Sequence, residues 1–231
     1  QPRSRGLGDV YKRQDVLGLC EIGTREDLLD IQQRLKQAGI DLPHLAYTGG
    51  MDPVRHLGFL SKLPLQQVTL PKEAMSYRLG QKEFLVQRGV MDVTVQTLDQ
   101  RKWHFIGVHF KSKRETDDGD QAAMRLREAQ LLRRHLDALL QQDPQAALIV
   151  YGDFNDAVKT PALRAVEGPA NSPRALMRLW LRDSRGERWT HYWAKEESYA
   201  PLDHIFVSHA LWKQRGAVSY THLTLPTKRI V

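Results

Sequence analysis

Short apolar runs, rich in β-branched and aromatic residues, recur along the chain between polar segments. Runs of this kind predict buried strands. We predict strands within 15–21, 57–65, 84–95, 103–110, 147–151 and 205–208, and shorter strand pieces within 180–190 and 192–198 around a turn at 183–186. The segment 43–53 is bounded by prolines, and we predict that it is a loop.

Helix signals lie between these runs. Thr24 and Asp27 have the spacing of a capping box, apolar residues follow at helical spacing, and Gly39 ends the predicted helix. A stripe of leucines predicts a long helix over 121–142, and Thr160 before a proline predicts a short one. The arginines of the long helix are expected on its solvated face: Arg125, Arg127, Arg133 and Arg134.

The predicted strands and helices alternate without the regular spacing of βαβ units. This order predicts a single α/β domain with two packed sheets flanked by helices. The chain has 231 residues, of which 41% are hydrophobic, enough for one core. No apolar run is long enough to span a membrane.

The formal charge of +7 is concentrated at the two ends of the chain. Residues 1–14 contribute +3 and residues 218–231 contribute +2, which leaves +2 for the middle. The high pI is therefore weak evidence for a nucleic-acid partner. We expect residues 15–217 to bind duplex DNA weakly and with a strong dependence on salt.

One cysteine, Cys20, excludes an intrachain disulfide. It leaves open whether the protein is cytoplasmic, or secreted or periplasmic, and the N-terminal signal region is expected not to be represented. Cys20 lies in an apolar run, which favours a buried structural thiol over a nucleophile.

The candidate chemistry lies at strand ends. A buried run leads into Gly-Asp-Phe-Asn, so Asp153 and Asn155 are two residues apart and can point the same way. These residues also close turns on their own backbone, and taken alone the segment fits a turn equally well. Glu21, His109 and the Asp203–His204 pair also flank predicted strands. Together they predict a site assembled at one rim of a sheet.

These segments resemble the endonuclease/exonuclease/phosphatase superfamily, which includes deoxyribonuclease I. The matching elements are the strand ending in Glu21, the strand delivering His109, the Gly-Asp-Phe-Asn element and the Leu-Asp-His strand at 202–204. Segments 60–65 and 88–95 also resemble strands of that family. The resemblance implies a four-layer α-β-β-α sandwich of two packed mixed sheets, deoxyribonuclease I-like and truncated at both ends.

The resemblance also implies a metal-dependent phosphoester hydrolase that uses Mg²⁺ or Mn²⁺. Glu21 and Asp203 would bind the metal ion, with Asp203 also close to the phosphate. Asp153 would orient or deprotonate water, Asn155 would donate to the phosphate or hold that geometry, and His109 would donate to a phosphoryl oxygen. Three further positions are expected in or near the site: Arg88 as a phosphate contact or a strand-end charge, Thr190 near the phosphate, and His204 in packing or in indirect support of the site.

Nucleic acid is the first expectation for the substrate, and a phosphatase or phospholipid phosphodiesterase activity is the alternative. A different class of protein, a non-catalytic binding or scaffold relative, would keep the same fold. The protein is expected to be a monomer. The aromatic segment 189–193 fits base stacking, but its alternation favours a strand that packs aromatic residues into the core.

Two family elements have no counterpart in the sequence: a metal-site asparagine before the Glu21 strand and a Ser-Asp-His-x-Pro element after Ser208. Residues 1–14 and 218–231 resemble translated sequencing-adapter read-through and are expected to be non-native, the alternative being genuine, poorly ordered termini. Residues 15–217 are then an incomplete domain, and we expect this polypeptide to be inactive by itself.

Overall fold

The computed structural model describes residues 14–214 except 118 and 184. The segments expected to be non-native, apart from Gln14, lie outside the described residues. Within the described part, no helix is both long and apolar enough to cross a membrane.

Thirteen strands and four α-helices make up the described chain. The strands are β1 Val16–Ile22, β2 His44–Thr48, β3 His56–Ser61, β4 Leu65–Val68, β5 Ser76–Leu79, β6 Lys82–Leu85, β7 Val90–Gln96, β8 Lys102–His109, β9 Ala147–Asp153, β10 Leu176–Arg178, β11 His191–Trp193, β12 Ser198–Ala200 and β13 Asp203–Ser208. The helices are α1 Arg25–Gln37, α2 Gln121–Gln142, α3 Pro161–Glu167 and α4 His209–Gln214, and a 3₁₀ turn spans Lys72–Met75.

Two sheets dominate the fold. The larger has six strands in the order β10-β13-β9-β8-β7-β4, and the smaller has three in the order β1-β3-β2. Strands β8 and β9 run parallel, and the other neighbours in the larger sheet run antiparallel. Two separate hairpins, β5–β6 and β11–β12, complete the pairing.

Three buried clusters show how the layers stack. One joins α2 and α3 to the larger sheet through residues such as Leu136, Val150 and Leu163. A second lies between the sheets and includes Phe59 and Met91. The third packs α1 against the smaller sheet. The order of layers is helix, three-stranded sheet, six-stranded sheet, helices, which confirms the four-layer sandwich.

The predicted helix boundaries rest on cap contacts that the structure contains. Asp27 N–H donates to Thr24 Oγ1 at 3.2 Å, and Thr24 N–H donates to the Asp27 carboxylate at 2.6 Å. This reciprocal pair satisfies donors that the first turn leaves unpaired. Thr160 caps α3 in one direction only: its hydroxyl oxygen accepts the N–H of Leu163, and Pro161 occupies the first turn.

The loop prediction for 43–53 is wrong in its first half, because β2 pairs with β3 over five residues. The predicted strand 57–65 divides before Pro64, which has no N–H for a ladder. The predicted strand 84–95 divides at Gly89, where φ is +73°. The predicted strand at 180–190 is wrong: the described residues there form no strand, and pairing begins at His191.

The prediction that all four arginines of α2 are solvated is wrong for two of them. Arg125 and Arg133 are buried. The Arg125 guanidinium donates to the carbonyls of Lys111 and Ser112, and that of Arg133 donates to Val166 O at 3.1 Å. Arg125 therefore joins α2 to the loop after β8, and Arg133 joins α2 to α3.

Candidate active site

Three polar side chains stand side by side at one edge of the larger sheet. The parallel register of β8 and β9 pairs His109 with Asp153, and the antiparallel register of β9 and β13 pairs Asp153 with Asp203. The carboxyl ends of β8 and β9 and the amino end of β13 therefore meet at this edge. His109 Nε2 lies 3.6 Å from Asp153 Oδ2.

The Gly-Asp-Phe-Asn segment is both a turn and part of this edge. Asn155 N–H donates to Asp153 Oδ1 at 2.7 Å, and Asn155 Nδ2 donates to Phe110 O at 2.9 Å. Asn155 has a φ of +47°, in the left-handed region that asparagine tolerates. Phe154 is fully buried and contacts the rings of Phe110 and Phe206, which anchors the turn.

Glu21 reaches the same place from the smaller sheet. The register of β1 against β3 shifts between Leu19 and Ile22, as at a β-bulge. Glu21 lies in that bulge with a φ of +58°. A bulge bends the strand and redirects a side chain, and the Glu21 carboxylate borders the cavity that faces His109 and Asp203.

This cavity has a volume of about 850 Å³, and most of the residues that line it are polar or charged. Seven of the eight sequence-predicted site residues line it: Glu21, Arg88, His109, Asp153, Asn155, Thr190 and Asp203. The loop after β8 adds Lys111, Lys113 and Arg114 to the wall. A single concave site therefore combines a carboxylate cluster with several cations.

The carboxylates of the cavity repel one another. Burial raises the pKa of Asp153 to about 7, and the charges of Asp203 and Glu21 add to the shift, against the opposing N–H of Asn155. Burial also raises the pKa of Asp203, where a hydrogen bond from Thr190 opposes it and the charge of Glu21 reinforces it. Anionic groups held together in this way favour a cation between them.

The donor set fits a magnesium-type ion. Mg²⁺ takes oxygen ligands and is usually held by one or two carboxylates, with water completing its shell. Glu21 and Asp203 supply such oxygens from opposite sheets. Among the described residues, no group of three or more His, Cys, Asp and Glu side chains is arranged to enclose an ion by itself.

Asp52 and Arg55, which were not among the sequence candidates, organise the wall beside Glu21. Asp52 is buried and accepts the N–H groups of Val54 and Arg55, both at 3.0 Å. Its other oxygen lies 3.4 Å from both Arg55 Nη1 and Arg88 Nε. A loop Asp close in sequence to an Arg is too common a pattern to have identified this contact.

Arg88 is buried, and its Nη1 donates to Phe110 O at 2.7 Å, the carbonyl that Asn155 also contacts. It is therefore fixed between Asp52 and the Gly-Asp-Phe-Asn turn. Its positive charge lowers the pKa of Asp153, although burial outweighs that effect. A buried arginine at the wall of a cavity suits contact with an anion.

Thr190 and His204 have supporting positions. Thr190 Oγ1 accepts the N–H groups of Leu202 and Asp203, at 3.0 and 3.1 Å, which fixes the start of β13. His204 is buried, does not line the cavity, and bonds Asp156 O at 2.9 Å. Burial lowers the pKa of His204, which favours its neutral form.

Cys20 lines the cavity but is a poor nucleophile. Burial raises the pKa of its thiol to about 12, with the charges of Asp153, Asp203 and Glu21 adding to the effect. The thiol lies 3.6 Å from Val108 O. A thiol of this pKa stays protonated at neutral pH, and only the thiolate attacks.

Comparison with known proteins agrees with this architecture. A family model described as the Endonuclease/Exonuclease/phosphatase family matches residues 7–227. No curated protein shows a significant match to the sequence.

Several solved structures share the fold. Truncated TDP2 from Caenorhabditis elegans has a TM-score of 0.56 at 14% identity, over 87% of this chain and 75% of that one. The catalytic domain of human Nocturnin has a TM-score of 0.55 at 18% identity, and the match covers 84% of this chain and 69% of that one. Sphingomyelinase C from Streptomyces griseocarneus has a TM-score of 0.54 at 19% identity, and the match covers 87% of this chain and 73% of that one.

Proposed function

We propose, from the premise that this chain belongs to the endonuclease/exonuclease/phosphatase family, that it is a metal-dependent phosphoester hydrolase acting on nucleic acid. The observation that carries the proposal is the register of His109, Asp153 and Asp203 across three neighbouring strands, facing one cavity with Glu21. No packing requirement explains four polar side chains at the rim of a core sheet.

Glu21 and Asp203 are the proposed ligands of Mg²⁺ or Mn²⁺. When bound, such an ion offsets the charge of a phosphoester and polarises its phosphoryl oxygen. The two carboxylates come from different sheets, so the packing of the sheets sets the ligand geometry. Asp52 keeps Arg55 beside Glu21, with Arg55 Nε 3.7 Å from Glu21 Oε1.

Asp153 is the proposed general base for water. A base of this kind works best when its pKa is near the working pH, and burial raises the pKa of Asp153 to about 7. Its Oδ1 accepts the N–H of Asn155, which orients the carboxylate. The other carboxylate oxygen, Asp153 Oδ2, lies 3.6 Å from His109 Nε2.

His109, Asn155 and Arg88 are the proposed partners of the phosphoryl oxygens. The side-chain amide nitrogen of Asn155 carries two hydrogens. One is donated to Phe110 O, and the other is the proposed donor to a phosphoryl oxygen. Arg88 presents a permanent charge at the cavity wall. Donors fixed in advance, where charge develops, are an effective way to lower a barrier.

The test is hydrolysis of a plasmid, a bis-aryl phosphodiester, an aryl phosphomonoester and sphingomyelin with and without Mg²⁺. Residues 1–231 and the product of the complete open reading frame that contains them are assayed side by side. We expect the full-length protein to cleave the nucleic acid only with metal, and Glu21→Gln to lower the rate by at least about 100-fold.

Glu26→Gln, an exposed carboxylate in the first turn of α1, is the matched control and should keep full activity. Undiminished hydrolysis by Glu21→Gln would sink the assignment of this site. Preferential hydrolysis of the monoester or of sphingomyelin would instead correct the substrate class.

A further inference from the structure

The aromatic segment 189–193 does not form the core strand that its alternation predicts. Trp189, Tyr192 and Trp193 are partly exposed, and Tyr199 is 58% exposed. The segment contributes β11 to a two-stranded hairpin with β12, which belongs to neither large sheet. Core packing therefore does not explain these rings.

The two faces of this hairpin carry different contacts. Successive side chains of a strand point to opposite faces, and His191 and Trp193 line the active-site cavity. Their ring centroids lie 4.8 Å apart with planes at 72°. On the other face, Tyr192 and Trp189 pack on Tyr199, at 4.7 and 4.5 Å between centroids.

The hairpin is fixed beside the carboxylate cluster. Thr190 N–H donates to Ala200 O at 3.1 Å, which closes the open end of the hairpin. The Thr190 hydroxyl oxygen accepts the N–H of Asp203, the residue that begins β13. Two hydrogen bonds of Thr190, one through its backbone N–H and one through its hydroxyl oxygen, thus connect the hairpin to the start of β13 at the proposed phosphoester site.

We propose that Trp193 and His191 form a subsite that stacks one nucleobase of the substrate beside the scissile phosphate. The inference rests on the proposed function and specifies its substrate as a nucleotide phosphoester with an accessible base. Bases stack on aromatic side chains whatever their sequence, and a base in a duplex has both faces covered. Single-stranded or unpaired nucleotides therefore fit this subsite.

The cavity is lined by equal numbers of acidic and basic side chains, so its net charge does not by itself separate a base from a cationic headgroup. A tryptophan also attracts quaternary ammonium groups. The loop that lines the cavity together with the hairpin carries Lys111, Lys113 and Arg114. These cations suit the anionic phosphate of a nucleotide, and the titration with phosphocholine separates a base from a choline headgroup.

The experiment measures binding of four ligands to residues 1–231 by NMR titration: inorganic phosphate, deoxyribose 5-phosphate, thymidine 5′-monophosphate and phosphocholine. We expect the nucleotide to bind about tenfold more tightly than deoxyribose 5-phosphate, which is a typical effect of stacking one base. Trp193→Ala should remove that difference and leave phosphate affinity unchanged. Trp193→Phe should keep most of it.

Trp180→Ala is the matched control, because Trp180 is 58% exposed and lies outside this cavity. Saturation transfer from the protein to the base protons of the nucleotide gives a second readout on the unaltered chain, independent of how variants fold. Strong transfer to the base supports the subsite, and transfer confined to the sugar overturns it.

The outcomes separate the two proposals. Equal affinity for the nucleotide and deoxyribose 5-phosphate, or unchanged nucleotide binding by Trp193→Ala, overturns the base subsite and leaves the phosphoester site intact. A preference for phosphocholine overturns it in favour of a headgroup site. If none of the four ligands binds, the base subsite is wrong, and the metal-dependent hydrolysis assay then decides the phosphoester site.

Discussion

At the scale of single residues, the site depends on backbone conformations that few residues adopt. Glu21 and Asn155 have φ angles of +58° and +47°, and Gly152 has +138°. Non-glycine residues in the left-handed region are uncommon and collect where surrounding structure holds them in place. Here they aim two predicted site residues at the cavity, which a regular strand and turn would not do.

Gly152 is the position where a side chain is least tolerated. A Cβ there would lie 2.0 Å from Val108 O, a backbone atom of the neighbouring strand. We predict that Gly152→Ala lowers the free energy of unfolding by more than about 3 kcal/mol, because strain and a clash add. Urea denaturation measures the change.

Gly39→Ala is the control for conformational strain alone, since Gly39 has a φ of +85° and open space around its Cβ. The Gly39→Ala substitution should lower the free energy of unfolding by about 1 kcal/mol. Equal losses in the two variants would show that the close approach of β9 to β8 does not restrict position 152.

A buried carboxyl in α2 predicts a pH dependence of stability. Burial raises the pKa of Glu128 to about 7, against the N–H of Lys111 and the charges of nearby basic residues. The folded protein therefore keeps this proton to a higher pH than the unfolded chain. Stability from this group is fully present below the unfolded pKa of about 4.5 and decreases as the pH rises towards 7.

Glu128→Gln removes that titration and keeps an acceptor for the Lys111 N–H, which Glu128 Oε2 accepts at 2.7 Å. The free energy of unfolding of the variant, taken relative to that of the unaltered protein, should be higher at pH 8 than at pH 5 by on the order of 2 kcal/mol. Denaturation curves at both pH values test this. If the variant and the unaltered protein differ in free energy of unfolding by the same amount at pH 5 and at pH 8, Glu128 is ionised at both pH values.

At the scale of elements, periodic patterns and cap signals identified helices well. The capping box at Thr24 and the span 121–142 follow local rules, and the structure confirms both. Strand limits were less predictable. Strand β2 forms because β3 offers it a partner, and the division at Gly89 depends on a turn that an apolar pattern does not show.

The arginines of α2 show that the sequence pattern of a helix does not indicate which of its charged residues are buried. Arg133 and Arg134 are neighbours with the same chemistry, yet Arg133 is buried and Arg134 is exposed. Arg133 contacts Val166 O at the end of α3 and Asp137 one turn along. Nothing in the local sequence indicates where α3 lies relative to α2.

This pair gives a matched test of how α3 is held. We predict that Arg133→Ala lowers the free energy of unfolding by about 1–3 kcal/mol, because Val166 O loses a buried donor. Arg134→Ala should change it by less than about 0.5 kcal/mol, as exposed substitutions usually do. Similar effects in the two variants would contradict the burial of Arg133.

At the scale of the whole molecule, the site exists only because two sheets pack together. Asp153 and Asp203 belong to the larger sheet and Glu21 to the smaller one. Strand-end chemistry and a family resemblance were enough to predict which residues converge. They were not enough to predict Asp52 or the exposed face of the β11–β12 hairpin, because both depend on contacts between distant segments.

Metal binding is the most direct test of the central claim that Glu21 and Asp203 form a metal-dependent phosphoester site. Mn²⁺ is titrated calorimetrically into the protein, Glu21→Gln and the control Glu26→Gln at neutral pH. The account predicts one site that Glu21→Gln weakens at least about tenfold, as loss of a carboxylate ligand should, and that Glu26→Gln leaves unchanged. Equal Mn²⁺ affinity in all three proteins, or no binding by the unaltered one, would contradict it.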